Sequence, residues 1–198
     1  MAKQLTFHVL GLYLDKLERA FSLDAKDMKK VYHERAAQCI KRGGYDAAIS
    51  ACRKAMELDG DDVEAHYQLG VAQMGNRSAE EAIASFKKVL KLDPDRGAAH
   101  FRLGVLYEKI SALDEAIASY KKAIKLSGDR ADFHYTLGVA LDKKGEHDKA
   151  IASLKKAVEL VPDEDKYHYR LGLIYDSQGE HDKAVAAFKK AVEVEDAG

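Results

Sequence analysis

Four histidines recur at a single spacing: His66, His100, His134 and His168 stand 34 residues apart. Imidazole ligates metals and titrates near neutral pH, so such a ladder invites metal or proton chemistry. A metal centre needs its ligands about 2 Å from one ion. Stacked helices lie about 8–10 Å apart, so residues one period apart are too spread to share it. The spacing therefore predicts a framework slot. His147 and His181, in two copies of Gly-Glu-His-Asp-Lys-Ala, read the same way at a turn. Cys39 and Cys52 form neither a metal spacing nor a disulfide framework. They are read as small buried hydrophobes facing one another across two helices. No Ser/His/Asp constellation, paired-carboxylate signature or phosphate-cradling glycine loop accompanies them. No catalytic set, metal or cofactor is predicted.

The elements behind this spacing are repeats. Leu-Gly recurs at Leu69-Gly70, Leu103-Gly104, Leu137-Gly138 and Leu171-Gly172, again 34 apart. Twelve residues after each glycine stands Ala82, Ala116, Ala150 or Ala184, and four later Phe86, Tyr120, Leu154 or Phe188. One period back, Tyr32, Ala36, Ala48, Cys52 and Ala55 give a weaker copy. The frame gives repeats at 29–62, 63–96, 97–130, 131–164 and 165–198. Gly60, Pro94, Gly128 and Pro162 share the slot where each second helix should stop. Within a repeat, Phe101, Gly104 and Tyr107 and then Ala116, Tyr120 and Ala123 keep helical spacing, predicting two amphipathic helices. Glycine inside a helix costs about 1 kcal/mol against alanine. Gly70 and Ala82, small residues on facing helices, are expected to let the backbones approach. Helices this short are marginal alone, so stability must come from stacking repeat on repeat.

This pattern resembles the tetratricopeptide repeat, with histidine in place of its usual tryptophan. The resemblance implies an all-α fold, a right-handed superhelical solenoid of antiparallel helix pairs over 29–198. It also implies that the first helices line a concave groove. Their open slots hold Tyr67, Phe101, Tyr135 and Tyr169, with Val71, Val105, Val139 and Leu173 one turn later. These residues suit an apolar helix or peptide, and Arg102 and Arg170 could pair with its acids. Packing of the same rings into the framework is an equal reading. The family's carboxylate clamp needs asparagine where these chains of Val and Leu stand, so chaperone-tail binding is not expected.

Apolar residues make up 46% of the 198-residue chain and charged residues 33%, with a net charge of −1. That balance offers no general field for nucleic acid. The row Arg53-Lys54, Lys87-Lys88, Lys121-Lys122, Lys155-Lys156 and Lys189-Lys190 is read as a solvated face. No run approaches the roughly 20 apolar residues of a membrane span. Residues 1–28 form a separate N-terminal stretch. In it Phe7, Leu10, Leu14, Leu17 and Phe21 lie at helical spacing, predicting a cap or degenerate repeat, or a self-association segment.

The stretch from Leu10 through Ala20-Phe21-Ser22 to Val31-Tyr32 is similar to the magnetosome-associated branch of this family. That resemblance implies a cytoplasmic, non-enzymatic scaffold, peripheral to the magnetosome membrane. It would bind itself and other magnetosome proteins, with an N-terminal repeat docking in a neighbour's groove. The alternative is a monomeric adaptor that holds a peptide of an unrelated partner.

Overall fold

The computed structural model describes residues 24–197. The N-terminal stretch with Phe7, Leu10, Leu14, Leu17 and Phe21 therefore lies outside the described residues. The described residues form ten helices and no strand. They are α1 (Ala25–Lys41), α2 (Tyr45–Leu58), α3 (Val63–Gly75), α4 (Ala79–Leu92) and α5 (Gly97–Lys109). There follow α6 (Leu113–Ser127), α7 (Ala131–Lys143), α8 (His147–Leu160), α9 (Asp165–Ser177) and α10 (His181–Ala197). Two compact units meet in sequence at Pro94 and Asp95, so α1–α4 make the first and α5–α10 the second.

Every odd-numbered helix is joined to its successor by a turn of three residues. The middle residue of each of these turns has a left-handed backbone: Gly43, Arg77, Ser111, Gly145 and Gly179, with φ from 62° to 85°. Two residues at the turn donate back into the helix. Gly145 N–H reaches the Asp142 carbonyl and Glu146 N–H the Leu141 carbonyl, at 2.8 and 2.9 Å. This is the Schellman closure, which satisfies carbonyls left open at a helix end. The same pair of bonds closes α1, α3, α5 and α9. Glycine is the natural occupant of that backbone, yet Arg77 and Ser111 adopt it as well.

In the first unit the core includes three neighbouring clusters, beside the buried Ala82, Phe86 and Val89 of α4. Met28 and Tyr32 join Ala55 and Ala65; Ala36 joins Ala51, Cys52 and Leu69; Cys39 joins Ala48 and Ala72. Positions rise along α3 as they fall along α2, so these helices are antiparallel. Asp24 and Asp62 cap α1 and α3 by accepting from Asp27 N and Ala65 N at 2.8 and 3.0 Å. In the second unit Ile117, Tyr120, Leu137, Leu141, Leu154, Leu171 and Tyr175 share one continuous core.

At the Leu-Gly glycines the nearest neighbour is a large side chain of the facing helix. A Cβ on Gly70 would lie 2.9 Å from the Phe86 ring, and on Gly104 2.5 Å from the Tyr120 ring. On Gly138 it would meet Leu154 at 2.8 Å, and on Gly172 the Phe188 ring at 2.5 Å. The glycine makes room first for the large side chain four residues after the alanine. At Gly138 the Ala150 carbonyl is also among the nearest atoms, at 3.2 Å.

The first repeat solves the same contact the other way round. Its glycine slot holds Ala36 and its large slot holds Cys52, and the two pack in one buried cluster. A methyl has been added on one helix and a ring removed from the other. Both cysteines are buried and free, but each sits in its own cluster. Burial above all pushes the Cys52 thiol up to about 12, and burial also raises Cys39.

Candidate protein-binding surface

Three of the four ladder histidines make a hydrogen bond to the turn before their helix. His66 Nε2 lies 2.9 Å from the Gly60 carbonyl oxygen and His168 Nε2 2.8 Å from that of Pro162. Each ring therefore donates to a backbone oxygen six residues earlier, in the turn that precedes its helix. His134 Nε2 reaches the Asp129 carboxylate at 3.1 Å. The turn histidines do likewise: His147 Nδ1 lies 2.9 Å from Asp142 Oδ1 and His181 Nδ1 2.9 Å from Asp176 Oδ1. Among the described residues no group of three or more His, Cys, Asp or Glu is placed to hold a metal.

The first-helix rings are half framework and half surface. Tyr67 meets Phe86 edge-on with ring centres 5.6 Å apart, and Phe101 and Tyr169 meet Tyr120 and Phe188 at 5.5 Å. Each ring thus rests on the large residue of its own repeat while keeping a partly exposed edge. Exposure is greatest at the last copy, where Tyr169 is 53% and Leu173 39% exposed. In the first unit Tyr67 and Val71 are half-buried on α3. In the second, Phe101, Val105, Tyr135 and Val139 are half-buried on α5 and α7.

Two further rings join the first helices of the second unit. Phe101 stacks on Phe133 with centres 4.2 Å apart, and Tyr135 packs on Tyr167 at 5.2 Å. Phe133 and Tyr167 are buried and were missed in the sequence reading. Their signal was an aromatic residue on both sides of the histidine, Phe133-His134-Tyr135 and Tyr167-His168-Tyr169. Lys166 stands at the rim, 6.0 Å from the centre of Tyr135 and 5.3 Å from that of Tyr167. Such cation–π contacts are worth about 0.5–1 kcal/mol at exposed sites.

The charged members of the surface are partly engaged already. Arg170 on α9 donates to Asp142 on α7 at 2.8 Å, and Asp142 also faces His147. Arg102 is half-buried on α5. Glu108 joins α5 to two neighbours, accepting from the Tyr120 hydroxyl at 2.9 Å and from Lys143 at 2.6 Å. Burial, and then this carboxylate, hold the Tyr120 hydroxyl far above its ordinary range. The lysine row is also partly spent: Lys88 pairs with Asp61 at 2.7 Å and Lys156 with Glu159 at 3.1 Å. No helix among the described residues is long and apolar enough to cross a membrane.

The arrangement offers a set of half-exposed rings on rigid helices, the chemistry of peptide and helix recognition. Comparison with known proteins agrees. The family model described as tetratricopeptide repeat matches residues 40–95, 67–132 and 135–198. A crystal structure of MamA is 34% identical with a TM-score of 0.78, over 82% of this chain and 95% of that one. MamA 41-end from Desulfovibrio magneticus RS-1 is 30% identical with a TM-score of 0.81, over 86% and 97%.

Proposed function

Because the chain belongs to the tetratricopeptide-repeat family, and within it to the MamA proteins, we propose that it is a non-enzymatic scaffold that assembles with itself. It works at the cytoplasmic face of the magnetosome membrane, which it coats or organises as a peripheral protein, and it binds other magnetosome proteins there. The observation that carries this reading is the row of half-exposed rings in the second unit. Phe101, Tyr135 and Tyr169 each keep an open edge, with Val105, Val139 and Leu173 beside them. Tyr67, Val71, Arg102 and Arg170 complete the partner-binding set. Self-association uses the apolar residues Phe7, Leu10, Leu14, Leu17 and Phe21.

The test is size-exclusion chromatography with light scattering on the full chain and on residues 24–198. The cut is placed ahead of Asp24, because that residue caps α1 and Met28 is buried in the core. Large assemblies from the full chain and a monomer of unchanged helicity from the shorter one are expected. Assemblies that survive the cut would remove the N-terminal mechanism. A monomer in both would favour the adaptor that holds a peptide of an unrelated partner.

A further inference from the structure

In the second unit the first two rings of the row each belong to a pair that carries a cation. Phe101 stacks on Phe133, and the Arg130 guanidinium lies 4.6 Å from the centre of Phe133. Tyr135 packs on Tyr167, and the Lys166 ammonium lies over both rings. A neighbouring carboxylate holds each cation in place. Asp132 accepts from Arg130 through both oxygens, at 3.0 and 2.8 Å, and Glu164 pairs with Lys166 at 2.7 Å. Among the described residues no cation lies over the third ring, Tyr169. That ring is 53% exposed and lines a hollow of about 400 Å³ with Phe188, Ala191 and Val192. Asp165 of α9 and Glu195 of α10 complete the lining. Neither carboxylate has a hydrogen bond or an ion pair among the described residues. The framework does not demand this acid pair. Its two slots hold Ala131 and Val161 one period earlier, and Gly97 and Ser127 two periods earlier.

We propose that this hollow is the subsite of the ring row that takes an arginine side chain from the bound segment of a partner protein. The guanidinium lies against the Tyr169 ring, its stem rests on Phe188 and Val192, and its N–H groups reach Asp165 and Glu195. The partner thus supplies at the third ring what Arg130 and Lys166 supply at the first two pairs. This rests on the reading of the ring row as a partner-binding surface, and it names the chemistry of what binds there. Charge and shape choose the occupant. An apolar side chain seated in the hollow would strip water from two carboxylates and return no hydrogen bond. An acidic one would be repelled. Arginine fits better than lysine, because its planar fork stacks on a ring face and serves two carboxylates at once. A cation over an exposed ring adds a further attraction.

The test is saturation-transfer NMR on the full chain, which reads weak ligands on monomers and large assemblies alike. The probes are N-acetylarginine amide, N-acetylcitrulline amide, which has nearly the same shape without the charge, and N-acetylleucine amide. The arginine probe should bind at millimolar concentration, at least about fivefold more tightly than the citrulline probe, because two exposed ion pairs are at stake. The variant Asp165→Asn/Glu195→Gln keeps both side-chain shapes and should lose that preference, with circular dichroism confirming the fold. Asp182→Asn removes a charge from α10 outside the hollow and should keep it. Equal binding of the arginine and citrulline probes, or a preference that survives in the double variant, would overturn the subsite. So would a loss as large in Asp182→Asn, since net charge alone would then be the cause. In each of these cases binding of the leucine probe would leave the ring row standing as a partner surface. Binding of none of the three probes would remove the subsite and the ring-row reading together.

Discussion

Gly104 shows how far a single hydrogen atom sets the fold. Its missing Cβ leaves the space filled by Tyr120, which is fully buried and tied to Glu108. The Gly104→Ala exchange gains up to about 1 kcal/mol of helix propensity. Against that, overpacking a rigid ring costs about 1–3 kcal/mol. The ring cannot move without leaving its carboxylate, so the loss should win by about 1–2 kcal/mol in urea unfolding. Gly60→Ala is the control: its Cβ would meet only the Met56 carbonyl, at 4.0 Å, and stability should hold or rise. Equal losses at both sites would mean that the ring contact is not the cause. The glycine was legible in the sequence as a close approach, because an unfavourable residue recurring in a helix needs a reason. Its partner was not, because periodicity gives a face and not the residue across from it.

At the scale of the helix pair, Ala36 with Cys52 and Gly104 with Tyr120 are two solutions of one packing problem. Cys52→Phe should drive a ring into the Ala36 methyl and lower stability by about 1–3 kcal/mol. Ala36→Gly alone should cost about 1 kcal/mol in helix propensity. Together they should recover much of the loss, since the pair then matches Gly70 with Phe86. A double-mutant cycle reads this as a favourable coupling of about 1 kcal/mol or more, and strict additivity would contradict it. The elements themselves were clear from the 34-residue period. The ring pairs that tie the first helices together, Phe101 with Phe133 and Tyr135 with Tyr167, were not. They join residues 32 apart, off the repeat period, and so lie between copies of the pattern. Arg170 reads as free in the sequence for the same reason: its partner Asp142 lies 28 residues earlier, on another helix.

Across the whole molecule the carboxylates set the response to acid. Lys29 lowers Asp59, Lys88 lowers Asp61, and Lys144 and then Lys149 hold Glu146 at about 2. At Asp62 burial works upward, but the Ala65 N–H, Lys29 and His33 together carry it below the ordinary value. Groups held below their unfolded values add stability above the ordinary carboxylate range of about 4–4.5 and lose it as pH falls further. The urea midpoint should therefore decline below about pH 4.5 and keep falling toward pH 2. A midpoint that rose on acidification over that range would contradict the sign. The overall class was legible from the repeat. The candidate surface was legible only as a face, because sequence spacing cannot divide a ring between packing and exposure.

Alanine at 36 in place of the later repeats' glycine, and Cys52 in place of their large side chain, also guard against error during folding. Near-identical repeats invite a helix to pair one copy out of step. If α1 settled against α4, the Ala36 methyl would face Phe86, where only glycine leaves room. If α3 took α2 in place of α4 as its hairpin partner, with Gly70 in the slot of Ala36, Gly70 would face Cys52 across an empty space. Each slipped pairing is either crowded or hollow, so the chain carries in its side chains a check on which helix belongs to which.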